Sequence, residues 1–330
     1  MRKLVLLLCM SGVLGSAALL ASPARDQGTK EAPMVYGELD PIYKDVDGDL
    51  IADAPDPKDQ LDPDTLVFAY APLEDPAVYE EIWTPFLQYL EKRLGKTVRW
   101  FAVRTYATQV EAMRAGRLHI SGFAAGSVQD AVNTVGFIPL ANMGTADGMV
   151  GYRMEFITHK DFKITSMEGL KGHQIAFVSE TSNSGYAAPR ALLYDQFKLL
   201  PDKDYKTAFS GSHENSILGV MNKDYEVAAI SDSVLKRMIN AGRVEETSWL
   251  ASLYASDLFP TTAYGVTNRL KPELVQKIKQ AFLEYDWTGT RLLEDYKPQD
   301  RFISANYKKD YEVLRIIRKG SEDVSKVMGN

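Results

Sequence analysis

The chain has 330 residues, of which 25% are charged and 45% hydrophobic, and its formal net charge is −6. Such a composition is typical of a globular protein with enough chain for two domains. An acidic chain lacks the basic surface that nucleic-acid binding requires, so we expect no nucleic-acid partner.

The first 24 residues have the features of a cleavable secretory signal peptide. Two basic residues precede an apolar run from Leu4 to Leu20, and the small residues at positions 22–24 suit a signal peptidase. The only cysteine, Cys9, lies inside this run without the small preceding residue that a lipoprotein site requires. We therefore expect a periplasmic protein that is not a lipoprotein and whose mature form has no thiol chemistry.

Residues 25–64 form an acidic extension that has the spacing of a calcium-binding loop. The carboxylates with this spacing are those of Asp45, Asp47, Asp49, Asp53 and Asp56. They match the ligand positions of such a loop, but Leu50 stands at the sixth position, where glycine is usual. A solvated acidic linker explains the same residues equally well. If calcium binds here, we expect a structural clip rather than a catalytic site.

Strands and helices alternate along the chain from Thr65 onward. The predicted strands are residues 66–70, 98–103, 118–123, 175–178 and 227–230, and the helices between the first three are residues 82–90 and 109–114. This alternation predicts an α/β chain of two lobes, each a mainly parallel sheet flanked by helices. Ligand-binding loops are expected at the carboxyl ends of the strands.

Two short stretches place hydroxyl residues directly before a predicted helix. Ser182-Asn183-Ser184-Gly185 follows an apolar strand, and Ser210-Gly211-Ser212-His213 precedes an apolar-periodic run. A helix N-terminus offers unpaired backbone N–H groups to an anion. Each motif alone is more typical of an N-cap without a ligand. Together they indicate a site for a tetrahedral oxyanion.

Several short runs follow one another in a fixed order between Leu66 and Trp287. They are Glu74-Asp75-Pro76, Trp83–Leu87, Tyr89–Gly95, Thr105-Tyr106-Ala107, Ala112-Met113-Arg114, Gly151-Tyr152, Ser182–Gly185 and His213-Glu214-Asn215. In this order and spacing they resemble the substrate-binding proteins of phosphonate and phosphite ABC transporters. These proteins are a branch of the type II periplasmic binding proteins, so the resemblance implies two lobes that close on a ligand between them.

The resemblance also implies a division of the chain and a set of partners. Lobe one would be residues 65–158 with 262–330, lobe two would be residues 165–257, and the chain would cross near 158–165 and 259–262. The protein would be a monomer that needs no cofactor and passes its ligand to an ABC transporter permease. A periplasmic partner of a sensor kinase that reports oxyanion availability is the alternative. An enzyme is not expected.

The ligand-binding residues are likewise implied by the resemblance. They are Tyr106, Ser127 and Tyr152 from one lobe and Ser182, Asn183, Ser184 and His213 from the other. Asn183 stands where relatives commonly carry a hydroxyl, and its amide can still donate a hydrogen bond.

Two departures from the family pattern bear on the ligand. Relatives that bind aminoalkylphosphonates carry two carboxylates for the ammonium group, and Ser233 and Thr262 align with them here. A desolvated ammonium group without a counter-ion is costly. Asp232 lies one position away and is expected to face the cleft, where it would accept a hydrogen bond from a P–OH. We therefore expect a small ligand without an amine, namely phosphite, methylphosphonate or phosphate.

Overall fold

Twelve strands in the described part of the chain form two separate sheets. The computed structural model describes residues 39–244 and 247–329, so the predicted signal peptide lies outside the described residues. The strands are β1 (Thr65–Tyr70), β2 (Thr97–Trp100), β3 (Ile120–Phe123), β4 (Phe137–Thr145), β5 (Gly148–Met149), β6 (Met154–His159), β7 (Gln174–Phe177), β8 (Lys206–Phe209), β9 (Val227–Ser231), β10 (Leu250–Ala255), β11 (Ala263–Thr267) and β12 (Arg301–Ser304). The helices are α1 (Pro76–Leu94), α2 (Tyr106–Arg114), α3 (Ala125–Val135), α4 (Ala188–Asp195), α5 (His213–Met221), α6 (Asp232–Asn240), α7 (Pro272–Glu284), α8 (Arg291–Asp295), α9 (Tyr307–Asp310) and α10 (Glu312–Val327).

The first sheet has the order β12-β4-β11-β3-β1-β2, with β5 added to β4. β1 runs parallel to β2 and β3, whereas β11 runs antiparallel to both of its neighbours. The second sheet has the order β10-β6-β9-β7-β8, and β7 runs parallel to β8 and β9. β6 is antiparallel to β9 and β10. The α/β fold is thus confirmed, with sheets that are mixed and not mainly parallel as predicted, because β11 and β12 in the first sheet and β6 and β10 in the second run antiparallel to their neighbours.

We call the body around the first sheet lobe one (residues 65–149 and 263–304) and the body around the second sheet lobe two (residues 154–255). The chain crosses between them at residues 150–153 and 256–262, and these segments pair through an antiparallel bridge between Tyr152 and Phe259. The first crossing lies ahead of the predicted 158–165. The reason is that β6 belongs to the second sheet through partners far later in the chain, which no local pattern reveals.

Helix α1 shows how local signals position the core of lobe one. The Asp75 side chain caps the helix by accepting from the N–H of Ala77 at 2.9 Å, and Gly95 ends it with a left-handed φ of 65°. Its buried residues, Tyr79, Ile82, Trp83, Phe86, Leu87 and Leu90, recur at helical spacing. They pack against aromatic residues of the first sheet, so the sheet and α1 share one apolar core.

Two terminal segments attach to these lobes. The acidic extension packs on lobe one, where Leu61 bridges Leu270 and the Asn268 amide donates to the Asp53 carbonyl at 2.9 Å. Helix α10 was expected in lobe one but lies against α4 of lobe two, where Arg190 donates to the Ser325 hydroxyl at 3.3 Å. None of the helices in the described ranges is long and apolar enough to span a bilayer.

Candidate ligand-binding site

A cavity of about 270 Å³ lies between the two lobes. Its wall includes the carboxyl-end loops of both sheets and the first crossing segment. Seven of the eight predicted ligand-binding residues line it: Tyr106, Tyr152, Ser182, Asn183, Ser184, His213 and Asp232. Residues from separate parts of the chain are therefore brought together around one space, which is large enough for a small anion.

One wall of the cavity is a helix start that follows β7. Ser182 precedes a π-helical turn at Asn183–Ala187, and its hydroxyl accepts from the N–H of Gly185 at 3.1 Å. Gly185 is required because a Cβ there would lie 2.4 Å from Cγ2 of Val178. The turn leads into α4, so the first N–H groups of the turn have no partner inside the helix. These N–H groups can therefore donate hydrogen bonds to an anion in the cavity.

His213 is the first residue of α5, and it contributes a neutral donor. Its Nδ1 accepts from the N–H of Ser231 at 3.1 Å, so the proton of the neutral ring is on Nε2. Burial, with a smaller contribution from the charge of Arg237, lowers the pKa of His213 to about 3. The ring can therefore donate one hydrogen bond to a ligand without carrying a charge.

Two tyrosines from lobe one and the first crossing also keep their protons. Burial raises the pKa of Tyr152 to about 12 and raises that of Tyr106 well above its ordinary value. The Tyr152 hydroxyl accepts from the side-chain amide of Asn183 at 3.0 Å. Asn183 thus uses one of its two amide protons to tie the first crossing to lobe two, and the Tyr152 proton is left to donate to a ligand.

Asp232 lies in the wall with both carboxylate oxygens already bonded. Oδ1 accepts from the N–H of Arg153 at 2.8 Å, and Oδ2 pairs with the Lys236 ammonium group at 2.7 Å. Ser233, one of the two residues at the family's carboxylate positions, shares a hydrogen bond of 2.8 Å with the Ser231 hydroxyl. The only carboxylate at the start of α6 is therefore neutralised by its own helix.

Ser127 is the predicted ligand residue that does not line the cavity. Its side chain is fully buried inside lobe one, and its hydroxyl has no hydrogen-bond partner among the described residues. The start of α3 instead reaches the cavity through Ala124, Ala125 and Gly126. The reason is the orientation of the first turn of α3, in which the third residue, Ser127, points towards the core of lobe one.

Arg237 is a cavity residue that sequence reasoning missed. It lies on α6 in lobe two, its side chain is only 11% exposed, and it pairs with Glu74 of lobe one. The sequence offers no local signal for it, because the partner lies far away in the chain.

Three of the five predicted calcium ligands lie together in the acidic extension. Carboxylate oxygens of Asp45, Asp47 and Asp49 are within 4.8 Å of one another, and this group does not include Asp53 or Asp56. Asp53 instead accepts from the N–H of Val46 at 3.0 Å. Leu50 adopts the left-handed φ of 69° that the usual glycine would favour. Calcium binding stays a prediction.

Comparison with known proteins places the chain among transport proteins. Residues 68–311 match the family described as "ABC transporter, phosphonate, periplasmic substrate-binding protein". The chain belongs to this family. Its members are the substrate-binding components of transporters, which agrees with a cavity between two lobes.

Individual relatives are distant in sequence and close in fold. The chain is 27% identical over 232 residues to the "Phosphate-import protein PhnD" of Mycolicibacterium smegmatis, covering 67% of this chain and 72% of the relative. It is 28% identical over 210 residues to the "Phosphonates-binding periplasmic protein" of Escherichia coli, covering 62% of each. The structure of PhnD1 from Prochlorococcus marinus in complex with methylphosphonate superposes with a TM-score of 0.68 at 22% identity, covering 81% of this chain and 99% of that one.

The low pKa of His213 gives a testable pH dependence. We expect the ring in the ligand-free protein to stay neutral as the pH falls through 6.5, the ordinary midpoint, and to take up a proton only near pH 3. Its contribution to folding stability should be complete above pH 6.5 and decrease as the pH falls towards 3, because only the unfolded chain binds the proton in that range. NMR titration of the ring, assigned with His213→Asn, measures this. A ring midpoint near 6.5 would contradict it.

Proposed function

We propose that this protein is the periplasmic solute-binding component of an ABC importer for phosphite, methylphosphonate or phosphate. Membership of the phosphonate-binding family supports the transport role. The observation that carries the ligand class is the convergence of neutral donors from both lobes on one cavity, namely the hydroxyls of Ser182, Ser184, Tyr106 and Tyr152 and the imidazole of His213. Such donors can form charge-assisted hydrogen bonds with the oxygens of an oxyanion.

The cavity wall around α6 disfavours a ligand that carries an amine. Asp232 is paired with Lys236, and Ser233 carries no charge. An ammonium group placed there would lose water and gain no free counter-ion. We infer that the cavity selects an unsubstituted or methylated phosphorus oxyanion over an aminoalkylphosphonate.

We further infer that the protein acts as a monomer in the cell. It reaches the periplasm through a cleavable signal peptide at residues 1–24 and is not lipidated. It delivers its ligand to a membrane permease and catalyses no reaction. Calorimetric titration of refolded, ligand-free protein with phosphite, methylphosphonate, phosphate and 2-aminoethylphosphonate tests the ligand class. No binding of the first three would refute it.

Restoring a carboxylate at position 233 should change selectivity. We expect wild type to prefer methylphosphonate to 2-aminoethylphosphonate, and Ser233→Glu to improve the latter by about tenfold or more through a charge-assisted hydrogen bond. Titrations at fixed salt and pH measure both ligands. Ser252→Glu adds the same charge at an exposed position of β10 in lobe two and serves as control. Tight binding of 2-aminoethylphosphonate by wild type would contradict the argument, because Asp232 would then already supply the charge.

A further inference from the structure

A buried cluster of charged side chains joins the two lobes beside the ligand cavity. Nε of Arg237, from α6 of lobe two, donates to Oε2 of Glu74 at 3.1 Å. Glu74 lies two residues before the start of α1 in lobe one, and the same oxygen accepts from the Tyr79 hydroxyl at 2.7 Å. The guanidinium group of Arg237 also lies 5.2 Å from the ring centroid of Tyr296, in lobe one. Nη2 of Arg237 donates to the Tyr79 hydroxyl at 3.3 Å, so three residues of lobe one contact this side chain of lobe two.

The burial of this cluster makes the pairing energetically significant. Glu74 is 4% exposed, and Tyr79 and Tyr296 are also buried. A buried charge that loses its partner is strongly unfavourable, whereas an exposed ion pair contributes little. If the lobes separate, both charges return to water and the pair is lost. The pair therefore belongs to the closed arrangement.

A second contact at the same place also joins the two lobes. Glu214, the second residue of α5 in lobe two, accepts from the N–H of Asp75 in lobe one at 2.9 Å. Glu214 is paired in turn with Arg243, which also approaches Glu74 at 3.6 Å. Glu74 of lobe one is therefore approached by two arginines of lobe two, and Glu214 of lobe two contacts the backbone of lobe one.

The cluster adjoins the ligand cavity. Arg237 and Tyr296 line the cavity, but Glu74 does not. The charge of Arg237 contributes to the lowered pKa of His213, so it acts at the anion site without a direct bond to that ring. A bound anion and Glu74 would therefore attract the same guanidinium group from two directions.

We propose that Arg237 is a positioning residue that locks the lobes closed around the bound oxyanion through Glu74 and so slows ligand release. This inference rests on the proposed oxyanion-binding function. The lock forms whenever the lobes close, whereas the ligand enters the open cleft, so the lock acts mainly on the dissociation rate and leaves the association rate nearly unchanged. A residue with a merely structural role would alter the stability of the ligand-free protein instead.

Stopped-flow measurements with methylphosphonate test the lock. Glu74→Gln and Arg237→Gln should each raise koff by about 30-fold, the effect of removing one partner of a buried charge pair, with little change in kon. The double variant leaves no unpaired buried charge, so its koff should lie closer to that of wild type than the koff of either single variant does. Lys171→Gln breaks the 3.2 Å pair with Asp204 inside lobe two and should leave both rates unchanged. An unchanged koff in Glu74→Gln would overturn the proposal.

A measurement without ligand separates this proposal from the proposed function. Residues 39–330 contain no cysteine, so dyes can be attached at Lys92→Cys in lobe one and Lys203→Cys in lobe two, both exposed. Single-molecule energy transfer should show a smaller closed fraction in Arg237→Gln than in wild type. If Arg237→Gln does not fold, Arg243→Gln is the second variant, because it removes a less buried partner of Glu74. An unchanged closed fraction overturns the lock. Failure of wild type to bind any of the three oxyanions overturns only the proposed function.

Discussion

Alanine at both Ser182 and Ser184 should weaken the binding of phosphite, methylphosphonate and phosphate by about a hundredfold or more. Each lost hydrogen bond to a charged oxygen costs about 1.5–3 kcal/mol. Both hydroxyls line the cavity at the start of the π-helical turn, so we expect them to bind the head group that all three ligands share. The three affinities should therefore fall together. Calorimetric titration at fixed salt and pH provides the comparison.

Loss of a helix cap is the effect that must be separated from loss of a ligand contact. Ser182 caps the turn through the N–H of Gly185, and Ser212 caps α5 in the same lobe through the N–H of Asn215 at 3.1 Å. Ser212 is not part of the cavity wall, so Ser212→Ala is the matched control and should preserve the affinity. An equal loss of affinity in both variants would show that stability, and not contact with the ligand, is responsible.

A methyl group at position 126 should hinder closure of the lobes. A Cβ at Gly126, in α3 of lobe one, would lie 2.2 Å from the backbone nitrogen of Asn183 and 2.4 Å from the carbonyl oxygen of Thr181, both in lobe two. Backbone atoms cannot turn aside as a flexible side chain can. Overpacking of this kind costs about 1–3 kcal/mol, so Gly126→Ala should weaken every ligand by about 10- to 100-fold. Small-angle scattering should show that the variant compacts less than wild type at saturating ligand.

Gly320→Ala is the control for this substitution. Gly320 lies within α10, where a Cβ would meet Ala191 at 3.6 Å, an ordinary contact distance. This variant should bind and compact as wild type does. Compaction of Gly126→Ala to the same extent as wild type would contradict the close approach of α3 to the Thr181–Asn183 backbone.

Local signals in the sequence were sufficient for the α/β fold class and for two helix N-termini that could bind an anion, whereas the individual ligand-binding residues were assigned through the family resemblance. Ser182 and Ser184 come soon after the predicted strand at residues 175–178, and His213 precedes an apolar-periodic run, so both stretches could be recognised as helix N-termini from neighbouring residues. Tyr106 and Tyr152 could be placed only through the family resemblance, because tyrosine has no distinctive spacing. The structure brings all of these residues to one cavity.

The features that sequence reasoning missed depend on contacts between distant segments. Glu74 and Arg237 look like ordinary charged residues until the lobes are brought together. Gly126 carries no positive φ, and its need for a hydrogen side chain comes only from the approach of the other lobe. The inward direction of Ser127 likewise depends on how α3 packs against its sheet. These features depend on how distant segments pack together, so the local sequence pattern does not reveal them.

The order in which the lobes can be completed follows from the position of β11. This strand lies inside the first sheet, between β3 and β4, yet the chain forms all of the second sheet before reaching it. During synthesis from the N-terminus, β3 and β4 must therefore wait with unpaired edges, which are prone to wrong pairing. The lobe that begins first is therefore the last to be completed, because β11 and β12 are synthesised only after all strands of lobe two.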